Sequence, residues 1–319
     1  MTIHTLPIPT PFAVGRVNCY LVDDDPLTLV DTGPNSGTSL TALEAALGEH
    51  GRRVEDLERI VITHQHFDHF GPLAILAERS GAEVCALEGL ASWLARFRDS
   101  TEADDAFAEA IMLRHGIPGD MVIVLRALSR QFRAWGADAR ATTLLADGGT
   151  LAFAGRSWKI HHRPGHSPTD TVFHDERSGE LIAGDHLIKH ISSNPLLTRP
   201  LDGGHERPKA LVAYIASMKA TQAMDVSVVL PGHGEAFGGH RELIDERLRM
   251  HDRRARKLLG LVSERPHTAY ELAQALWGNV AVTQAYLTLS EVLGHMDLLL
   301  DDGRAVEIGD EGVVRFAGA

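Results

Sequence analysis

The segment His64-Gln65-His66-Phe67-Asp68-His69 constrains this chain more than any other stretch. Three imidazoles and one carboxylate follow directly on the apolar, β-branched run Arg59-Ile60-Val61-Ile62-Thr63. A strand ending in such a cluster delivers several donors to one point. Zinc takes His nitrogen and Asp oxygen, and a catalytic zinc site keeps one position for water. A polar loop that happens to be rich in His explains neither the spacing nor the strand before it.

The remainder reads as an ordinary globular protein. Its 319 residues are 44% hydrophobic and 23% charged, enough for a sizeable core and more than one typical domain. The formal net charge of -12 weighs against phosphate backbones, so nucleic acid is not the expected partner. Cys19 and Cys85 sit in apolar, strand-like runs and are expected as buried reduced thiols. Met1 to Pro7 has no basic or long apolar stretch, and no segment approaches the ~18 apolar residues that span a bilayer. The expectation is a cytoplasmic chain without a membrane partner; a homodimer stays open.

Short strands alternate with helices along the first part. Val17 to Val22 and Leu27 to Val30 flank the turn Asp23-Asp24-Asp25-Pro26, a hairpin signal. Ser39 to Leu47 has helical spacing, Ile60 to Thr63 is a strand, Leu73 to Arg79 a helix and Glu83 to Leu87 a strand. This alternation predicts a layered α/β architecture. Residues 88–146 differ: Trp93, Phe97, Phe107, Met112, Met121, Phe132 and Trp135 recur at mostly helical spacing. Two or three amphipathic helices account for them, and such an insert could equally shape a substrate pocket. Strands resume at 150–153, 157–162, 171–174, 181–183 and 226–230. From about Gly238 the pattern becomes helices at 242–259, 269–277 and 285–300, then a hairpin, 304–307 and 313–316, around Asp310-Glu311-Gly312. Helix, helix, helix, hairpin is a winged-helix-like pattern. The expected domains are residues 1–240, with the insert inside, and 241–319.

Three further motifs each follow a strand: Pro164-Gly165-His166-Ser167, Ala183-Gly184-Asp185-His186 and Pro231-Gly232-His233-Gly234. Each sets a donor beside Gly, where the backbone turns sharply and approaches a site closely. One Gly-His says nothing; four strand-end motifs in this order are specific. With Asp31-Thr32-Gly33, they resemble the metallo-β-lactamase superfamily of dinuclear metallohydrolases over roughly residues 15–240. The resemblance implies a four-layer αββα sandwich with metals at one edge of the paired sheets. It implies that His64, His66 and His166 hold one metal, that Asp68, His69 and His233 hold the other, and that Asp185 bridges them. Two Zn2+ per chain are expected; Mn2+ or Fe suits the same N/O donors. Two such ions ~3.5–4 Å apart share a hydroxide that is a nucleophile at neutral pH. Asp31 is either a group that orients ligands or a turn-forming Asx residue.

Details narrow the class. His66 stands where oxygen-reducing relatives carry a carboxylate, which favours hydrolysis. True β-lactamases of the superfamily lack the bridging Asp, so this chain looks more like the branch holding glyoxalase II and LACTB2-like hydrolases. The expected activity is cleavage of an activated acyl bond in a small molecule, first a thioester, with Asp68 as ligand and proton acceptor. A lactonase or single-strand endoribonuclease is the alternative enzyme, and a metal-containing regulator the alternative outside catalysis. The helix at 285–300 contains no Lys or Arg, which argues for packing or docking rather than groove reading.

Overall fold

The β-branched runs fold into two sheets. The computed structural model describes residues 2–201, 203–204, 206–309 and 312–319. These fall into two compact units; the first takes segments 1–101, 131–193 and 223–240. Its six-stranded sheet runs in sequence order: β1 (Thr2–Ile8), β2 (Val17–Asp23), β3 (Thr28–Val30), β4 (Arg59–Val61), β5 (Glu83–Leu87) and β6 (Thr143–Leu145). The first three are antiparallel, and β3 to β6 are parallel. Five strands make the second sheet: β7 (Thr150–Phe153), β8 (Arg156–His162), β9 (Thr171–Asp175), β10 (Glu180–Gly184) and β11 (Val228–Pro231). Its neighbours are antiparallel except for the parallel pair of β10 and β11.

The sheets share one core. Tyr20, Val22, Val30, Val61 and Cys85 of the first meet Phe153, Trp158, Ile160, Phe173 and Ile182 of the second. Alternate side chains along each strand supply this apolar face. Cys19 and Cys85 are free and buried. Helices follow the strands: α1 (Gly37–Glu49), α2 (Phe67–Phe70), α3 (Leu73–Ser80), α4 (Glu88–Leu94), α5 (Phe97–Arg114) and α6 (Gly119–Phe132). Ser36 caps α1 by accepting from the Ser39 amide, and Gly81 ends α3 at φ 72°. The aromatic-rich stretch therefore contains three helices, and its end returns to the first sheet as β6.

The second unit comprises segments 102–130, 194–222 and 241–319. Beyond parts of α5 and α6 it holds α7 (Ala210–Gln222), most of α8 (His240–Glu264), α9 (Ala269–Trp277), α10 (Val280–Thr283) and α11 (Ala285–Asp301). The antiparallel hairpin β12 (Ala305–Ile308) and β13 (Arg315–Gly318) follows; Asp310 and Glu311 of its turn lie outside the described residues. Its core gathers Met112, Val122, Leu258, Leu272, Leu293 and Phe316. Thr268 and Glu271 close a capping box at the start of α9. Among the described residues, no helix is long and apolar enough to cross a membrane.

Candidate metal centre

Strand ends build the site. The run β4 stops at Val61, and three residues on the chain enters the His cluster at His64, whose second half winds into the single turn of α2. His166 follows β8, Asp185 is the residue after β10, and His233 lies two residues past β11. All seven anticipated donors converge in two groups: His64, His66, His166 and Asp185, then Asp68, His69 and His233. Within each group the donor atoms lie within 4.8 Å of one another.

Asp185 stands between the groups. Its Oδ2 lies 3.5 Å from both His166 Nε2 and His233 Nε2, and its Oδ1 3.4 Å from His69 Nε2. His66 Nδ1 lies 3.1 Å from His64 Nε2 and 2.9 Å from His166 Nε2. Asp68 Oδ2 is 3.3 Å from His233 Nε2. Such a gathering of buried donors suits divalent cations. His69 Nε2, His233 Nε2 and Asp185 Oδ1 are buried without a hydrogen-bond partner among the described residues. Left unmet, such atoms are costly to bury.

Neighbouring groups set which nitrogen faces the centre. The main-chain carbonyl of Arg16 lies 2.8 Å from His233 Nδ1. A carbonyl only accepts, so Nδ1 carries the proton and Nε2 presents its lone pair. The Asp31 carboxylate does the same for His69, 2.7 Å from its Nδ1. Asp31 also accepts from the Thr63 amide and hydroxyl, at 2.9 and 2.8 Å, and Thr63 Oγ1 stands 3.0 Å from His64 Nδ1. One carboxylate thus orients two imidazoles of the cluster, one directly and one through a hydroxyl. Asp31 is also in the left-handed region, φ 60°, and its carboxylate contacts go to Thr63 and His69 rather than to the amides of its own turn.

Burial dominates the titration. It drives His64 well below the ordinary imidazole range and His66 down to about 3, helped by neighbouring imidazoles. Both rings are neutral and present lone pairs at neutral pH. Burial also disfavours charge on His69 and His233, but the carboxylates outweigh it. Asp185, Asp31 and Asp68 raise His69 well above its usual value, and Asp185 and Asp68 raise His233 to about 9. Burial opposes ionisation of Asp68 and Asp185, yet His69 and His233 hold both below the ordinary carboxylate range. Without an ion, then, protons supply positive charge to the acidic half of the cluster.

Several contributors lie outside the anticipated set. Asn18 of β2 donates to the carbonyls of Pro231 and Gly234 at 2.9 and 2.7 Å, and Tyr20 to Pro231 at 2.6 Å. Together they clamp the turn that carries His233. The Ser193 hydroxyl donates to the Asp185 carbonyl. Asp170, buried, accepts from the Ser167 amide at 2.9 Å and fixes the His166 turn. Asn18 is the one amide inside an otherwise apolar run, a signal the sequence does offer. Thr63 looks like one more β-branched strand residue. Among the other nearby histidines, His162 spends Nε2 on the Pro168 carbonyl at 2.8 Å, and neither it nor His186 joins the seven-donor clusters. His190 is exposed beside Gly234.

Two sheets on a shared core, with imidazoles and carboxylates gathered past their strand ends, define a metallohydrolase class of site. The sequence profile of the metallo-beta-lactamase superfamily matches residues 13–233, and the chain belongs to that superfamily. It is similar to "Probable metallo-hydrolase YqjP" of Bacillus subtilis (strain 168): 32% identical over 293 residues, 92% of this chain and 90% of that protein. Among solved structures it resembles a metallo-beta-lactamase family protein, TTHA1429, from Thermus thermophilus. That likeness has a TM-score of 0.84 at 28% identity, covering 99% of this chain and 98% of the other. A beta-lactamase domain protein from Burkholderia ambifaria also gives a TM-score of 0.84, at 27% identity, covering 99% and 92%. The chain is thus a metallo-hydrolase of this superfamily, with His/Asp clusters that are candidates for holding metal.

Proposed function

We propose that the chain hydrolyses a thioester of a small molecule, with two zinc ions held by the seven converging donors. One observation carries the dinuclear reading: the Asp185 carboxylate turns one oxygen toward His69 and the other toward His166 and His233. His64, His66 and His166 would hold one ion, Asp68, His69 and His233 the other, and Asp185 both. When bound, such a pair activates water at neutral pH and polarises a carbonyl.

The thioester reading rests on the leaving group. Water adds to the acyl carbon, the C–S bond breaks, and a carboxylate and a thiol result. A thiol has a pKa of ~8.5, so its sulfur departs as thiolate without a donated proton, whereas an alkoxide or amide nitrogen needs one. The side chains that meet at the centre are cation ligands, and Asp68 is held ionised by His69 and His233. Asp68 takes up the proton of the attacking water at its carboxylate. His64 and His66, kept neutral by burial, hold their geometry without competing for that proton.

The test is a panel of acyl thioesters, lactones and single-stranded RNA offered to wild type and Asp68→Asn. Thioester turnover should exceed the others, vanish on chelation, return with zinc, and fall by about 100-fold or more in the variant. Cleavage of RNA or lactone alone would replace the substrate assignment; no metal-dependent hydrolysis of any kind would remove the enzymatic one.

A further inference from the structure

Another group of ligand-type side chains lies in the helical unit, away from any strand end. His251 of α8 meets Glu291 and His295 of α11, with donor atoms within 4.8 Å of one another. All three are buried, His251 and His295 to 1% and 0% exposure. Glu291 and His295 are four residues apart, so one face of α11 presents both.

The proton positions follow from the partners. His295 Nδ1 lies 2.6 Å from the main-chain carbonyl of Glu291, so Nδ1 carries the proton and Nε2 presents a lone pair. The Arg16 carbonyl orients His233 in the same way. His295 Nε2 stands 3.2 Å from His251 Nδ1, close to the 3.1 and 2.9 Å between imidazole nitrogens in the strand-end cluster. Two nitrogens each ~2.0–2.1 Å from one zinc ion across a tetrahedral angle stand ~3.3–3.4 Å apart. Burial, the neighbouring His295 and the nearby Arg254 and Arg247 push His251 down to about 3, and burial lowers His295 too, so both rings stay neutral.

His251 turns Nδ1 toward His295, so Nδ1 is the nitrogen it would offer to a shared cation. His251 Nε2 is buried without a partner among the described residues. A polar group placed so in a helix interface costs stability that an apolar residue would not. Glu291 is paired with Arg254, whose guanidinium lies 5.4 Å above the centre of the Trp277 ring. Such a hydrogen-bonded carboxylate can orient one oxygen on Arg254 and offer the other to a cation.

We propose that His251, Glu291 and His295 form a separate site for one zinc-class divalent cation that joins α8 to α11. Two imidazoles, one carboxylate and one water complete a four-coordinate site. Its role is structural, because an ion that binds the folded unit and not the unfolded chain adds to stability.

The test uses the full chain carrying His66→Ala, Asp68→Ala, Asp185→Ala and His233→Ala, which takes two donors from each of the two strand-end groups. After dialysis against zinc, elemental analysis should find one ion per chain, and cobalt should give the absorption of a tetrahedral N/O site. Adding His251→Gln or His295→Gln should remove that ion. Zinc should raise the unfolding midpoint of the first chain and not of the others. The proposal falls if the chain with intact helices binds neither metal, or if the ion survives in a folded His251→Gln or His295→Gln variant. Should both Gln variants fail to fold, the chain with intact helices decides: a tetrahedral cobalt spectrum supports the site, and its absence overturns it.

Discussion

Single atoms decide whether the strand-end cluster works. A Cβ on Gly232 would fall 2.2 Å from Asp185 Oδ1 and 2.9 Å from His69 Cε1, far inside contact distance. The glycine therefore makes room for the carboxylate between the two groups of donors. Gly232→Ala should leave the circular dichroism near wild type, because the change is local to one turn. Bound metal and hydrolysis should both drop by roughly 100-fold, as when a ligand is displaced. Asp31 poses a finer question, since it combines a left-handed backbone with a carboxylate that touches Thr63 and His69. Asn tolerates that backbone nearly as well as Asp. Asp31→Asn thus isolates the carboxylate, and should weaken metal affinity ~10–100-fold with little change in the unfolding midpoint. Competition against a chelator of known affinity measures it; an unchanged affinity would reduce Asp31 to a turn residue.

At the scale of elements, β2 does more than pair with its neighbours. Asn18 and Tyr20 reach from it to the turn after β11, so the first sheet holds the loop of the second that carries His233. In Asn18→Ala the Gly234 carbonyl loses its side-chain partner while the Pro231 carbonyl keeps Tyr20. About 1–3 kcal/mol of stability should go, the cost of one buried group left unmet, and metal affinity should fall with it. Urea unfolding of chelated and loaded protein separates the two effects. The same elements show what can be read from a sequence. The four donor motifs were legible because each packs its information into a few adjacent residues after a β-branched run. The β2–β3 hairpin and the α8, α9, α11 series were legible through turn chemistry and apolar period. The strand β1 is not legible: Thr2, His4 and Thr5 give it no clear alternation, and its pairing with β2 along the whole of Thr2–Ile8 is a tertiary contact. The three-residue β6 is defined by its ladder to β5. Helix α7 is not legible although Leu211, Tyr214 and Met218 line its buried face, because its other face is also largely Ala and apolar. The hydrogen bonds of Thr63 and Asn18 join residues far apart or of unremarkable type, and no local spacing announces them.

For the whole chain, protons and metal compete for the same charge. With no ion bound, His233 has its pKa raised to about 9 by Asp185 and Asp68, against the opposing effect of burial. A raised imidazole contributes stability that is fully present below its ordinary value of ~6.5 and is lost as pH climbs through about 9. The contribution at stake is on the order of 3 kcal/mol. His69 acts in the same direction. Chelated protein should therefore lose stability between about pH 6.5 and 9. Metal binding has the opposite dependence, because an ion held by Asp68, His69 and His233 must displace those protons before the two imidazoles can ligate. In the loaded protein the cations take over the role of the protons, and the loss should disappear. The difference in unfolding midpoint between loaded and chelated protein should then widen steadily from pH 6.5 to 9, and calorimetric titration at pH 7 should register proton release on metal binding. Both observations follow from carboxylates that share their charge with whichever cation is present. A gap independent of pH across that window would mean that the ions bind elsewhere than at Asp68, His69, Asp185 and His233.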